Sequence, residues 1–329
     1  MRILFIADTV SNTGPANANK EIYEHLLYCQ EVINISRVSL SKMAQLINLI
    51  GKCDFVVTDG FDRLFVVLQK IAKRFGKPFV YIMHGYLTYE NKINGLGLTS
   101  SYCLAYERYL ENSNAVITLS KLQKKFIGDQ KPSIEDKVFA CPMGLIMQNR
   151  EHNQDSACVR IAVSGGTRPI KRNDFVARSV NLLSFSDKKI EFYVYGRCYS
   201  GSMELIEKGL TKGALCYRGQ VSQERFLEEL RSIDVFVMAS LHEPFGLSAI
   251  DALQSGSSVL LSEQCGVIEA LDTTDSDIIY LSESEEVAAK KIEYLVKNPN
   301  HERLSNSINY SRQSWVEFVR ELIRILQNL

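Results

Sequence analysis

At 329 residues, 46% hydrophobic and 23% charged, the chain has the apolar content for packed cores and lacks the bias of a disordered or fibrous protein. The formal net charge is zero, and no nucleic-acid partner is expected. The length suits two domains of about 150 residues better than one.

From its start, RILFIA (Arg2 to Ala7) is a short apolar run that reads as a strand. The stretch DTVSNTGPANANKEIYEHL follows. Its Asp, Ser, Asn, Gly and Pro residues predict a loop containing Gly14, then a helix from about Ala16 to Tyr28. Gly14-Pro15 taken alone is an ordinary turn before a helix. EVINI (Glu31 to Ile35), DFVVTD (Asp54 to Asp59), PFVYIM (Pro78 to Met83) and AVITLS (Ala115 to Ser120) are further strands with helical segments between them. This alternation predicts a parallel sheet covered by helices on both faces. PFVYIM runs into His84-Gly85. A histidine just past a strand's C-terminal end sits at the edge where open α/β sheets bind ligands; a structural histidine is the alternative.

Residues 1–150 carry five more basic than acidic side chains, and residues 151–329 the reverse. The basic excess gathers at Lys70, Lys73, Arg74 and Lys77 and again at Lys121, Lys124, Lys125 and Lys131. Such runs are solvated helix faces, or a surface that leans on an anionic membrane or a phosphorylated acceptor. REHNQDSA (Arg150 to Ala157) is polar without periodicity and reads as a linker. The pattern then restarts: CVRIAVSGG, a helix from about Lys171, IEFYVYG (Ile190 to Gly196) and ALCYRGQV (Ala214 to Val221).

DVFVMAS (Asp234 to Ser240) and SVLLS (Ser258 to Ser262) read as buried parallel strands. Between them lies HEPFGLSAIDALQSG. Pro244 and Gly246 fix a loop, Leu247 to Gln254 suit a helix, and Ser255-Gly256 end it. The free N–H groups of Gly246, Leu247 and Ser248 would point at an anion. Glu243 and Asp251 stand eight residues apart, the spacing at which side chains share a helix face; a cap and a solvated position are the plainer reading. In the closing RQSWVEFVRELIRILQNL, Trp315, Phe318, Val319, Leu322, Ile323 and Leu326 fall on one helical face. Eight scattered cysteines without C-x-x-C or metal-ligand spacing read as buried reduced thiols of a cytosolic protein. No apolar run reaches the roughly 18 residues of a membrane span, and the opening MRILFIADTV is too short for a signal peptide.

EPFGLSAIDALQSGSSVLLSEQCGVIEAL resembles the donor-site signature of the family 4, group 1 retaining glycosyltransferases. That signature is E-P-F-G-x-x-x-x-E-A-x-x-x-G-x-P-V. Glu243, Pro244, Phe245, Gly246, Ala252 and Gly256 match it, as do Gly266 and Glu269 downstream. Asp251 replaces the second Glu, and Ser257 the usual Pro. SGGTRPIKRND (Ser164 to Asp174) resembles the family's G-R-L-x-x-x-K-G, in which Arg and Lys neutralise the leaving diphosphate. Lys171 aligns with that Lys. Gly166 falls at the family Arg, so Arg168 takes that work from a position displaced by two, with Arg172 as competitor. LAYERYLENSNAVITLS resembles a helix-plus-strand of the family, with Glu107 and Arg108 as its structural pair.

The resemblance implies the GT-B fold: two facing Rossmann-like domains, 1–150 on the acceptor side and 157–310 for the donor, with residues 311–329 a helix crossing back to the first. It implies a retaining, metal-independent hexosyltransferase using a UDP- or GDP-linked sugar, held between the domains, and a glycan or lipid-linked acceptor. Gly14, Gly166, Arg168, Lys171, Val221, Phe245, Gly246, Leu247, Ser248 and Asp251 would bind the donor, Val221 at the nucleobase and Asp251 at the ribose. His84 and Glu243 would hold the transferred sugar. Bacterial-type surface polysaccharide or glycolipid synthesis is the expected setting, in the cytoplasm or at the membrane's inner face. A nucleotide-sugar epimerase on the same fold and a non-catalytic nucleotide-sugar-binding subunit are the rival readings.

Overall fold

A computed structural model describes residues 1–11, 13–146, 157–185, 187–199 and 203–329. Apart from Ala157, the expected linker from Arg150 lies outside the described residues. The chain divides into two compact units, Met1–Leu145 with Tyr310–Leu329, and Ile146–Asn309.

The first unit alternates β1 (Arg2–Ile6), α1 (Gly14–Leu27), β2 (Glu31–Asn34), α2 (Met43–Lys52), β3 (Phe55–Asp59), α3 (Arg63–Arg74), β4 (Phe79–Met83), α4 (Leu87–Asn94), α5 (Ser100–Asn112), β5 (Ala115–Thr118), α6 (Lys121–Gln130) and β6 (Val138–Ala140). All strand pairings are parallel, in the order β2-β1-β3-β4-β5-β6. The central strands are apolar on both faces because helices cover both; every side chain of β4 and β5 is buried. Phe79, Tyr81, Tyr106 and Tyr109 pack with Leu4, Val56, Leu68 and Ile127 in the core.

The second unit continues with β7 (Cys158–Val163), α7 (Asn173–Asn181), β8 (Lys189–Tyr195), α8 (Met203–Gly209), β9 (Ala214–Gly219), α9 (Gln223–Leu230), β10 (Val235–Met238), α10 (Leu247–Gln254), β11 (Ser258–Ser262), β12 (Ile278–Ile279), α11 (Glu285–Lys297) and α12 (His301–Ser307). Its parallel sheet runs β12-β11-β10-β7-β8-β9. Val159, Ile161, Phe175, Val194, Val237 and Ile292 lie at its core. The last helix, α13 (Trp315–Gln327), belongs to the first unit and packs on α1.

Several expectations change in detail. Gly14 is the first residue of α1, not part of the preceding loop, because the Thr13 hydroxyl accepts the Ala16 N–H and Pro15 fits the first turn. The helix expected from Lys171 starts at Asn173, since Pro169–Lys171 form a 3₁₀ turn and Arg172 adopts a left-handed conformation. On α13 the buried face takes Ile325, while Ile323 is half-exposed. The thiols are all free, but Cys29 and Cys198 are exposed. Lys131 is not a solvated cation: it pairs with Glu107 at 3.0 Å and Glu111 at 2.7 Å. Among the described residues no helix is long and apolar enough to cross a membrane.

Candidate functional site

In the second unit the strand order reverses between β7 and β10. From β7 the chain winds outward through β8 and β9, then returns to β10 and winds the other way. Loops that leave neighbouring strands in opposite directions splay apart, and a crevice opens at the strands' C-terminal ends. Both sequence motifs lie there, one following β7 and the other following β10.

The loop after β7 is tightly built. Gly166 has φ +66°, and a side chain there would collide with the Arg197 carbonyl. Its N–H donates to the Tyr195 carbonyl at 2.7 Å, so its role is to shape the loop. The Asn173 side chain donates to the carbonyls of Ser164 and Gly166 at 3.2 and 2.5 Å, closing the loop from below. This construction sends Lys171 across the crevice to Glu243, where the two side chains form an ion pair and are 13% and 14% exposed. The Arg168 Nε donates to the Gly165 carbonyl at 3.3 Å. Arg172 goes elsewhere: its guanidinium lies 4.2 Å over the Phe175 ring, among Asp174, Arg178 and Glu285.

The loop after β10 is stitched to the chain following β11. Glu243 N–H donates to Gln264 O at 2.9 Å, and the Gly266 and Val267 N–H groups donate to Glu243 O and Phe245 O at 3.0 and 2.7 Å. Phe245 is buried and packs the loop down. Gly246, at φ +110°, caps α10; a Cβ there would stand 2.8 Å from Cys265 Sγ and 3.0 Å from Met238 Sδ. With glycine at the cap, no side chain caps the first turn of α10. Leu247 and Ser248 open the helix, and the Ser248 hydroxyl lies 3.0 Å from that of Ser164. Asp251 is one turn further along, half-buried, and accepts from Gln223 Nε2 at 2.9 Å. Val221 is half-buried in the turn before α9.

Burial alone would raise the Glu243 pKa, but Lys171, Arg168 and His242 together hold it below the ordinary carboxylate value. Burial pushes His242 down to about 4. The result is a carboxylate, two cations and an uncapped helix N-terminus at one sheet edge. Such a set can orient a polyhydroxyl group beside an anion and stabilise negative charge that grows on that anion.

In the first unit the order reverses between β1 and β3. His84 follows β4, with Nε2 3.2 Å from Asp59 Oδ1 and 3.4 Å from Asn19 Oδ1. Asp59 ends β3, and Asn19 lies on α1. Neither stands out in the sequence; the signal for Asp59 is that its strand and that of His84 end at the same edge. Gly14 lies in the first turn of α1 with open space where a side chain would go. Glu107 accepts from Tyr86 Oη and Thr88 Oγ1 at 2.9 and 2.5 Å and pairs with Lys131, bracing α4 and α5; Arg108 is exposed.

Residues 157–314 match the family model described as glycosyl transferases group 1. A probable sucrose-phosphate synthase of Thermosipho melanesiensis is 27% identical over 224 residues, 60% of this chain and 49% of that protein. The chain thus spans about half the length of that relative. A GDP-mannose:cellobiosyl-diphosphopolyprenol alpha-mannosyltransferase of Xanthomonas oryzae is 23% identical over 303 residues, 84% of this chain and 74% of that one. The crystal structure of HepE from Anabaena in complex with UDP and glucose superposes over 100% of both chains, with TM-score 0.73 and 13% identity. The fold is the GT-B architecture of two Rossmann-like domains.

Proposed function

We propose that this chain, whose residues 157–314 match the model described as glycosyl transferases group 1, moves a hexosyl group from a nucleotide-diphosphate sugar to a glycan or lipid-linked acceptor with retention of configuration. The observation that carries the reading is the meeting of Lys171, Arg168 and Glu243 beside the N-terminus of α10.

Lys171, Arg168 and the amides of Gly246 to Ser248 bind the diphosphate without a metal ion. As the bond to the anomeric carbon breaks, charge grows on the departing phosphate oxygen, and these fixed positive groups favour it more than they favour the intact donor. Glu243 and His84 hold the sugar hydroxyls. Asp251 takes the ribose and the backbone near Val221 takes the base. The acceptor enters on the face from which the diphosphate leaves, and a phosphate oxygen takes its proton. No enzymatic nucleophile is then required, which separates this set from the paired carboxylates of a hydrolase. The acceptor belongs to surface polysaccharide or glycolipid synthesis, and the basic helices of the first unit meet it at an anionic membrane face.

The test is calorimetry with UDP- and GDP-linked sugars, followed by an assay for released nucleotide. Binding followed by acceptor-dependent release supports the reading. Conversion of the donor sugar without acceptor would point to an epimerase. A second reading, a binding subunit without turnover, rests on Asp251, whose carboxylate is engaged by Gln223; binding without release would favour it.

A further inference from the structure

The surroundings of His84 restrict its chemistry more than its position alone does. Asn19 is fully buried, and its Nδ2 donates to the Asp8 backbone carbonyl at 3.1 Å and to Asp59 Oδ2 at 2.5 Å. A carbonyl and a carboxylate can only accept. Turning the amide over would set its oxygen against both of them, so Asn19 Oδ1 must be the atom that faces the ring. His84 Nε2 therefore faces two acceptor oxygens, Asn19 Oδ1 at 3.4 Å and Asp59 Oδ1 at 3.2 Å. A lone pair on Nε2 would oppose both, whereas a proton there is shared by both. Nδ1 makes no hydrogen bond among the described residues, and the side chain is 13% exposed.

We propose that Asp59 and Asn19 fix neutral His84 as its Nε2–H tautomer and so reserve Nδ1 as the atom that accepts a hydroxyl of the donor sugar. The proposal rests on the reading of His84 as a sugar contact. Asp59 and Asn19 are positioning residues, since they act through the ring. The arrangement also explains why three separate elements converge here. Because β1, β3 and β4 are consecutive in the sheet, α1 after β1, the end of β3 and the turn after β4 are brought side by side. A ring held in the wrong tautomer would present a donor to a hydroxyl oriented to donate, and that contact would be lost.

Long-range ¹H–¹⁵N correlation spectra of uniformly labelled protein read the tautomer directly. His84 is one of five histidines and is assigned by its absence in His84→Gln. At a pH where the ring is neutral, the wild type should show a pyrrole-like Nε2 and a pyridine-like Nδ1. Asp59→Asn and Asn19→Leu should let the second tautomer appear and lower donor kcat/KM, on the order of tenfold to a hundredfold for loss of one buried polar contact. A pyrrole-like Nδ1 in the wild type would overturn the proposal, as would an unchanged nitrogen pattern in both variants. Should a variant fail to fold, the wild-type spectrum decides alone. Unchanged turnover in His84→Gln would overturn the sugar-contact reading, and this outcome is scored separately from the nitrogen pattern.

Discussion

Replacing Lys171 by alanine should damage stability and catalysis through two different routes that can be separated. Lys171 and Glu243 are an ion pair with side chains 13% and 14% exposed. Removing one partner of a buried pair costs about 3–5 kcal/mol; with Arg168 still acting on Glu243, the lower end is expected. The stranded Glu243 loses the neighbour that lowers its pKa most and keeps the burial that raises it, so its folded pKa should rise above the ordinary 4.5. Folding then takes up a proton, and the stability deficit should shrink as pH falls toward that value. If Lys171 binds the departing diphosphate as proposed, turnover should lose one preorganised cation, about 2–4 kcal/mol, or roughly 30- to 1000-fold in kcat/KM. Adding Glu243→Gln to Lys171→Ala should recover most of the stability and none of the activity. Urea unfolding and nucleotide-release kinetics on the four proteins of the cycle measure both quantities. A destabilised Lys171→Ala protein with unchanged kcat/KM would show that the pair is structural only. The same kinetics should show a large loss for Arg168→Ala and a small one for Arg172→Ala, since Arg172 packs over Phe175 away from Glu243.

Asp251→Asn should weaken nucleotide binding in calorimetry with the fold intact, while Asp251→Glu should be tolerated; unchanged binding in Asp251→Asn would place the carboxylate outside the nucleotide site. His242 is buried, with its pKa pushed from 6.5 to about 4. The unfolded chain binds that proton at higher pH, so stability should fall as pH drops from 6.5 to 4, by about 3 kcal/mol in all. His242→Phe should flatten that slope in denaturant titrations across the range; parallel slopes would contradict it. Vesicles rich in anionic lipid should co-sediment the protein at low salt and release it at high salt. Neutralising Lys121, Lys124 and Lys125 together should reduce binding, and binding that persists would move the surface to Lys70, Lys73, Arg74 and Lys77.

The elements that carry the site could be read from the sequence wherever local rules decide them. The helix Leu247–Gln254 and the strand Ser258–Ser262 occur at their expected bounds, because glycines punctuate the stretch and the apolar residues are continuous where the sheet is buried. α1 begins at Gly14, before the expected Ala16, because Thr13 caps it. α7 begins at Asn173, after the expected Lys171, because Arg172 takes a left-handed conformation that a non-glycine residue rarely adopts. The choice between Arg168 and Arg172 could not be made from spacing, since it depends on which way that turn sends each side chain. The Asn19–Asp59–His84 group depends on strand order. Those residues are 65 positions apart at the extremes, and only the adjacency of β1, β3 and β4 unites them.

Sugar transfer from a nucleotide-linked donor is tested by following free nucleotide released from UDP- and GDP-linked sugars with and without a glycan or lipid-linked acceptor. Release should occur with one nucleotide class, be stimulated by acceptor, and be lost together in Lys171→Ala and Glu243→Gln. Donor binding by calorimetry with no acceptor-stimulated release from any pair would contradict it.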